Sequence, residues 1–145
     1  MILYLDTSAF VPTLIEEPTS QLCGRLWDGA DRLVTARLTY VEAAAALAMA
    51  ERLDRISSEI HADAVGRLTE IWSEFDVVEF DEQLMVMAAE AAHRHRLRGY
   101  DAVHCAAASR IAGDGVVAAS GDGRLLDAWW SEENRRCRHE CRAGG

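Results

Sequence analysis

The 145-residue chain contains no lysine; all 15 of its basic residues are arginine. A P-loop NTPase needs a lysine at its phosphates and a Schiff-base enzyme needs a lysine amine, so both chemistries are excluded. Proline is scarce, at 2 residues, and no apolar run approaches the roughly 20 residues of a membrane-spanning helix. Met1 to Leu5 is apolar, but it lacks a basic flank and meets Asp6 too early for a secretory signal. Of the 4 cysteines, Cys23 and Cys105 lie among apolar helical residues and read as small buried hydrophobes rather than disulfide partners. A reduced, cytoplasmic setting is therefore expected, with no membrane association.

Net positive charge is also missing. With 24 Asp and Glu against 15 Arg the chain carries −9, the opposite of the usual nucleic-acid-binding balance. The charge is unevenly divided. Residues 1–92 hold 17 acids and 6 Arg, net −11, and residues 93–145 hold 7 acids and 9 Arg, net +2, which sum to −9.

What is present is the composition of one folded domain. Half of the residues are hydrophobic, and a chain of this size buries roughly two-thirds of its unfolded surface without disulfide or metal staples. Ile2–Leu5 is a short apolar run suited to a buried parallel strand. Residues 32–35, Val77-Val78 with Phe80, and 116–119 give three more. Between them helices are expected over 7–15, over a segment opened by Pro18 that carries Leu22, Cys23, Leu26 and Trp27 on one face, and over 39–52, 58–75, 82–97, 101–112 and 122–130. The alanine-rich 39–52 segment is apolar around most of its circumference and is expected to be the central helix. Strands alternating with helices predict a mainly parallel sheet covered on both faces. The folded domain is expected over 1–130, with 131–145 a polar, Arg-rich tail.

In such sheets ligands collect at the carboxyl ends of the strands, which draws attention to four acids. Each has an ordinary structural reading. Asp6 could cap the helix that begins at Thr7. Glu42, three residues after Thr39, fits a capping box. Asp101 could complement a helix dipole. Asp122, in Ser120-Gly121-Asp122-Gly123, could serve a turn or cap. Their joint placement says more, because a parallel sheet would bring all four to one edge. Clustered carboxylates repel unless protonated or bound to a cation, and the hard cation that suits carboxylates with phosphate oxygens is Mg²⁺, with Mn²⁺ as the alternative.

Leu5-Asp6-Thr7-Ser8, Leu38-Thr39-x-x-Glu42, Asp101-Ala102-x-His104 and Ser120-Gly121-Asp122-x-x-Leu125 resemble, in order and spacing, the acidic motifs of PIN-domain nucleases, and the chain's size resembles the VapC toxins of bacterial toxin–antitoxin pairs. The resemblance extends over residues 1 to about 128. It implies a three-layer α/β/α sandwich and Mg²⁺-dependent endoribonuclease activity on RNA. It also implies inhibition by a cognate VapB-like antitoxin and a homodimeric state. Carried over by position, the metal-site and catalytic acids are Asp6, Glu42, Asp101 and Asp122, with Asp6 and Asp101 as direct ligands. Ser8 and Ser120 match the small hydroxyl positions that support them. Such a site needs neither lysine nor a histidine base; water activated by the ion attacks phosphorus in line, leaving a 5′-phosphate and a 3′-hydroxyl.

Other features have plainer readings. Cys137-x-His139-x-Cys141 does not follow a usual zinc spacing and is read as tail. His93 and His95, interleaved with Arg94, Arg96 and Arg98, suit a solvated helix C-terminus. His104 is expected to pack or hydrogen-bond inside the fold, and Trp129-Trp130 to make a core or dimer contact. Two other functions compete. A catalytically inactive PIN-like module binding RNA or protein is disfavoured because all four acids are retained. A phosphatase using Asp6 as nucleophile lacks both the expected lysine and a second Asp two residues on, where Ser8 stands.

Overall fold

A computed structural model describes the backbone of residues 1–143 and the side chains of residues 1–133. Four strands, β1 (Ile2–Leu5), β2 (Arg32–Ala36), β3 (Phe75–Val78) and β4 (Val116–Ala119), form one all-parallel sheet in the order β3-β2-β1-β4. The two innermost strands are β2 and β1, and the Leu3–Leu33 and Leu3–Val117 registers align their ends. Asp6, Arg37 and Ser120 each follow the last residue of a strand and so share the carboxyl edge.

Side-chain alternation along β1 divides the core into two layers. Leu3 and Leu5 face α1 (Thr7–Phe10), α2 (Ser20–Asp28), α3 (Thr39–Arg52) and α4 (Ser58–Ile71). Tyr4 faces α5 (Glu82–His95), α6 (Gly99–Ile111) and α7 (Gly123–Ala143). The three-layer α/β/α architecture follows. Leu3, Leu5, Leu47, Leu68, Leu84 and Leu125 are fully buried, and each contributes roughly 1.5–3 kcal/mol by leaving water.

Several expected boundaries shift. The first helix does not continue from Thr7 to Ile15: α1 stops at Phe10 and a 3₁₀ turn covers Val11–Thr13. Pro12 has no N–H to donate to the Ser8 carbonyl, so an unbroken α-helix would lose a bond there. Pro18 falls in the turn before α2, and Leu22 is exposed rather than packed. Phe75 fits the helical period of the segment before it, yet pairs with Leu33 as the first residue of β3. Phe80 lies beyond that strand and is exposed.

The central helix is α6, not α3. The α3 helix buries only Thr39, Ala43, Leu47 and Ala50, a single stripe, while Val41 and Met49 face solvent. The α6 helix buries Ala102 and every residue from His104 to Ser109. Alanine is small enough to sit on either face, so an alanine-rich pattern does not tell the two situations apart. The α7 helix also continues past the expected Trp130 to Ala143. Its later residues are polar helix formers with no apolar period to reveal them. Among the described residues, no helix is long and apolar enough to cross a membrane. The side chains of Cys137, His139 and Cys141 lie outside the described residues.

Candidate metal centre

The carboxyl edge of the sheet opens into a cleft of about 340 Å³ whose polar lining is Asp6, Thr7, Ser8, Glu17, Glu42, Asp101, His104 and Asp122. All four acids singled out above line it. They come from the end of β1, the first turn of α3, the first turn of α6 and the loop between β4 and α7.

Asp6 is 4% exposed and would be costly as an ion without donors. It has several. Oδ1 accepts from the Ala9 backbone N–H at 2.9 Å and from Ser8 Oγ at 2.8 Å. Oδ2 accepts from Ser120 Oγ at 2.6 Å and lies 3.0 Å from Ser8 Oγ. The helix-cap reading of Asp6 is correct for one oxygen, and the same carboxylate lines the cleft. Ser8 Oγ also accepts from the Gly121 N–H at 2.7 Å, and Ser120 Oγ from the Asp122 N–H at 2.9 Å. These bonds fasten the loop that carries Asp122 onto the loop that carries Asp6. The approach is close at Gly121, where a Cβ would stand 3.3 Å from Ser8 Oγ and crowd it.

Glu42 is not part of a capping box. Thr39 is the first residue of α3 and Leu38 the cap, with no side-chain cap bond. The Thr39 hydroxyl is buried, 2.8 Å from Thr35 Oγ1, which donates to the Leu5 carbonyl at 2.6 Å. Glu42 is thereby left to face the cleft, where Oε1 accepts from Thr7 Oγ1 and His104 Nε2, both at 2.7 Å.

Asp101 occupies the third position of α6. Burial pushes its carboxyl above the ordinary carboxylate range; Asp122 raises it next, His104 lowers it, and Asp6 and Glu42 add smaller upward contributions. Asp122 directly precedes α7 and accepts from the Arg124 N–H at 2.8 Å.

The donor set suits a hard cation, being four carboxylates, one of them raised by burial and then by the charges of the other three. Among the described residues no three acids, histidines or cysteines already form a tight metal cage. The four acids ring the cleft rather than clasp one point. That arrangement leaves room for water or phosphate oxygens, which Mg²⁺ sites usually retain.

Residues 3–128 match the PIN domain. The chain belongs to the PIN domain family. It is 40% identical over 124 residues to Ribonuclease VapC45 of Mycobacterium tuberculosis, covering 86% of each chain. The fold is shared with Mycobacterium tuberculosis VapC20, a sarcin–ricin-loop-cleaving toxin, at TM-score 0.64 and 19% identity over 87% of this chain and 94% of that one. It is also shared with VapBC2 of Rickettsia felis, solved on a DNA fragment from its promoter, at TM-score 0.59 and 11% identity over 88% and 93%.

Sequence reasoning missed part of this PIN domain's site. Thr7 was read only as a helix start, yet its hydroxyl holds Glu42. Glu17 also lines the cleft, and no motif singles it out in the sequence. His104 does hydrogen-bond inside the fold as expected, and it is 2% exposed, but its partners are Glu42 and the Tyr4 phenol, whose oxygen lies 2.8 Å from Nδ1. The available signal was the placement of His104 one helical turn after Asp101 on the same face. Trp129 packs edge-on against Tyr4 in the core, while Trp130 is largely exposed. Arg94 and His95 converge on Glu132 of α7, so the basic end of α5 is partly a helix–helix contact.

Proposed function

We propose that this PIN domain is a Mg²⁺-dependent endoribonuclease, the toxin of a type II toxin–antitoxin pair, that hydrolyses RNA at the cleft between Asp6, Glu42, Asp101 and Asp122. The observation that carries this reading is the convergence of four carboxylates from four separate elements on one cleft, with Asp101 pushed up by burial and by the other three. When bound, Mg²⁺, or Mn²⁺ in its place, supplies Lewis-acid stabilisation of phosphate charge and an acidified water.

The chain's own residues divide the remaining work. Asp6 is held rigid by Ser8, Ser120 and the Ala9 N–H, so its carboxylate meets a cation without reorganising. Asp101 and Asp122 complete the oxygen-rich rim, and Glu42 offers the oxygen that Thr7 and His104 leave free. Phosphate contacts outside the rim fall to arginine, whose fork suits two phosphate oxygens at once. A VapB-like antitoxin, a second copy of the chain and a cytoplasmic setting complete the proposal. Support comes from the relatives, which are named as VapC ribonucleases and, in one solved case, as a VapBC pair.

The test is cleavage of total RNA by antitoxin-free protein in Mg²⁺, with the product ends mapped. Asp6→Asn and Asp101→Asn are expected to bring cleavage to the no-enzyme background, and the wild type to leave 5′-phosphate and 3′-hydroxyl ends. Undiminished cleavage by either variant would overturn the site. Intact RNA after prolonged incubation of the wild type with Mg²⁺ and Mn²⁺ would favour a non-catalytic binding module.

A further inference from the structure

Glu42 Oε1 receives two protein donors, Thr7 Oγ1 and His104 Nε2, each at 2.7 Å. Glu42 Oε2 has no partner among the described residues, and the side chain lines the cleft. A free glutamate has three rotatable bonds and two equivalent oxygens; this one has an oxygen assigned to each side. A carboxylate only accepts, so Nε2 carries the ring proton, and in the neutral ring Nδ1 is left to accept from the Tyr4 hydroxyl at 2.8 Å.

Tyr4 is fully buried on β1, one of the two inner strands, edge-on to both His104 and Trp129. A phenol keeps its proton at neutral pH and can donate, and the Tyr4 oxygen lies 2.8 Å from Nδ1. The Trp129 indole N–H points to the His104 backbone carbonyl at 3.4 Å. The Tyr4 hydroxyl therefore holds the ring from the core side, and the Nε2–H of that ring holds the carboxylate.

We propose that Thr7, His104 and Tyr4 are positioning residues that fix Glu42 with Oε2 turned to the cation, Tyr4 acting only through His104. This rests on the reading of the cleft as a cation site. A buried imidazole needs an acceptor for its N–H, and here that acceptor is a carboxylate that lines the cleft. Partners of this kind, which orient a ligand without touching the metal, typically change affinity by about 10- to 100-fold when removed.

The test is Mn²⁺ binding to chelator-stripped full-length protein, followed by the electron paramagnetic resonance signal of the free ion, with thermal melting as a fold control. Wild type is expected to bind, and Glu42→Gln to bind more weakly. Thr7→Val and His104→Ala are expected to weaken Mn²⁺ binding by about 10-fold or more, and His104→Gln, which retains an N–H donor, to restore part of the loss. Tyr4→Phe never touches the cleft, yet it should weaken Mn²⁺ binding in the wild-type background and have no further effect beside His104→Ala. Wild-type affinity in folded Thr7→Val and His104→Ala, with Glu42→Gln impaired, would overturn the positioning role alone. An equal Tyr4→Phe penalty with and without His104 would overturn the relay. No Mn²⁺ binding by wild type, or Glu42→Gln binding as tightly as wild type, would overturn the cation reading and the inference with it.

Discussion

Melting the chelator-stripped protein with and without Mg²⁺ probes the electrostatics of the cleft without any RNA. Asp101 is raised by burial and by Asp122, Asp6 and Glu42, so the metal-free fold works against its own charge at neutral pH. A cation that binds only the folded state relieves this and adds binding free energy. At a free Mg²⁺ concentration 100 times the dissociation constant the stabilisation is about 2.7 kcal/mol. Unfolding entropy near Tm is roughly 2.1 cal/mol/K per residue, about 0.3 kcal/mol/K for the 145-residue chain. The two together predict a rise in Tm of about 9 °C. The assay is circular dichroism melting across a Mg²⁺ titration, with NaCl at matched ionic strength to remove general screening. Asp101→Asn is expected to melt higher than wild type in the absence of metal and to show a smaller Mg²⁺-induced rise. A wild-type Tm unmoved by saturating Mg²⁺, or an Asp101→Asn rise as large as wild type's, would refute the reasoning.

Two further predictions follow from the same structure. The folded state holds the Asp101 proton more tightly than the unfolded chain does, so this group's contribution to stability is fully present below its ordinary value of 3.8 and is lost as pH rises through its raised value. Urea denaturation of metal-free protein at a series of pH values should show wild type losing stability relative to Asp101→Asn as pH increases; a constant difference would contradict the shift. Leu47, fully buried in the layer beneath α3, should cost about 2–5 kcal/mol when cut to alanine, read as a lower urea midpoint at unchanged slope.

The sheet and most helices were legible because their signals are local. Short apolar runs closed by Asp or Ser mark parallel strands, and Asp81 caps α5 through the Leu84 N–H at 2.8 Å, as its position before an apolar period implies. The 39–52 helix has the expected limits. Its depth in the fold was misjudged because alanine does not report which face is buried. The four acids could be expected at one edge from strand topology alone. What sequence could not supply was the division of labour among their oxygens. Thr39 matches a capping-box pattern, but Thr35 lies 2.8 Å away and Leu38 takes the cap position, a competition settled by β2 and α3 packing rather than by spacing. The partnership of Thr7, His104 and Glu42 joins residues 35 and 62 positions apart. No local pattern encodes such contacts.

The strand order β3-β2-β1-β4 places the first of the four strands in sequence beside the fourth. Until Val116–Ala119 pairs with it, β1 is an open edge. Asp6 also lacks the Ser120 hydroxyl, and the cleft lacks Asp122. A polypeptide interrupted before β4 therefore carries at most three of the four acids and cannot hold them as a site. The cleft is thus complete only when β4 has paired with β1.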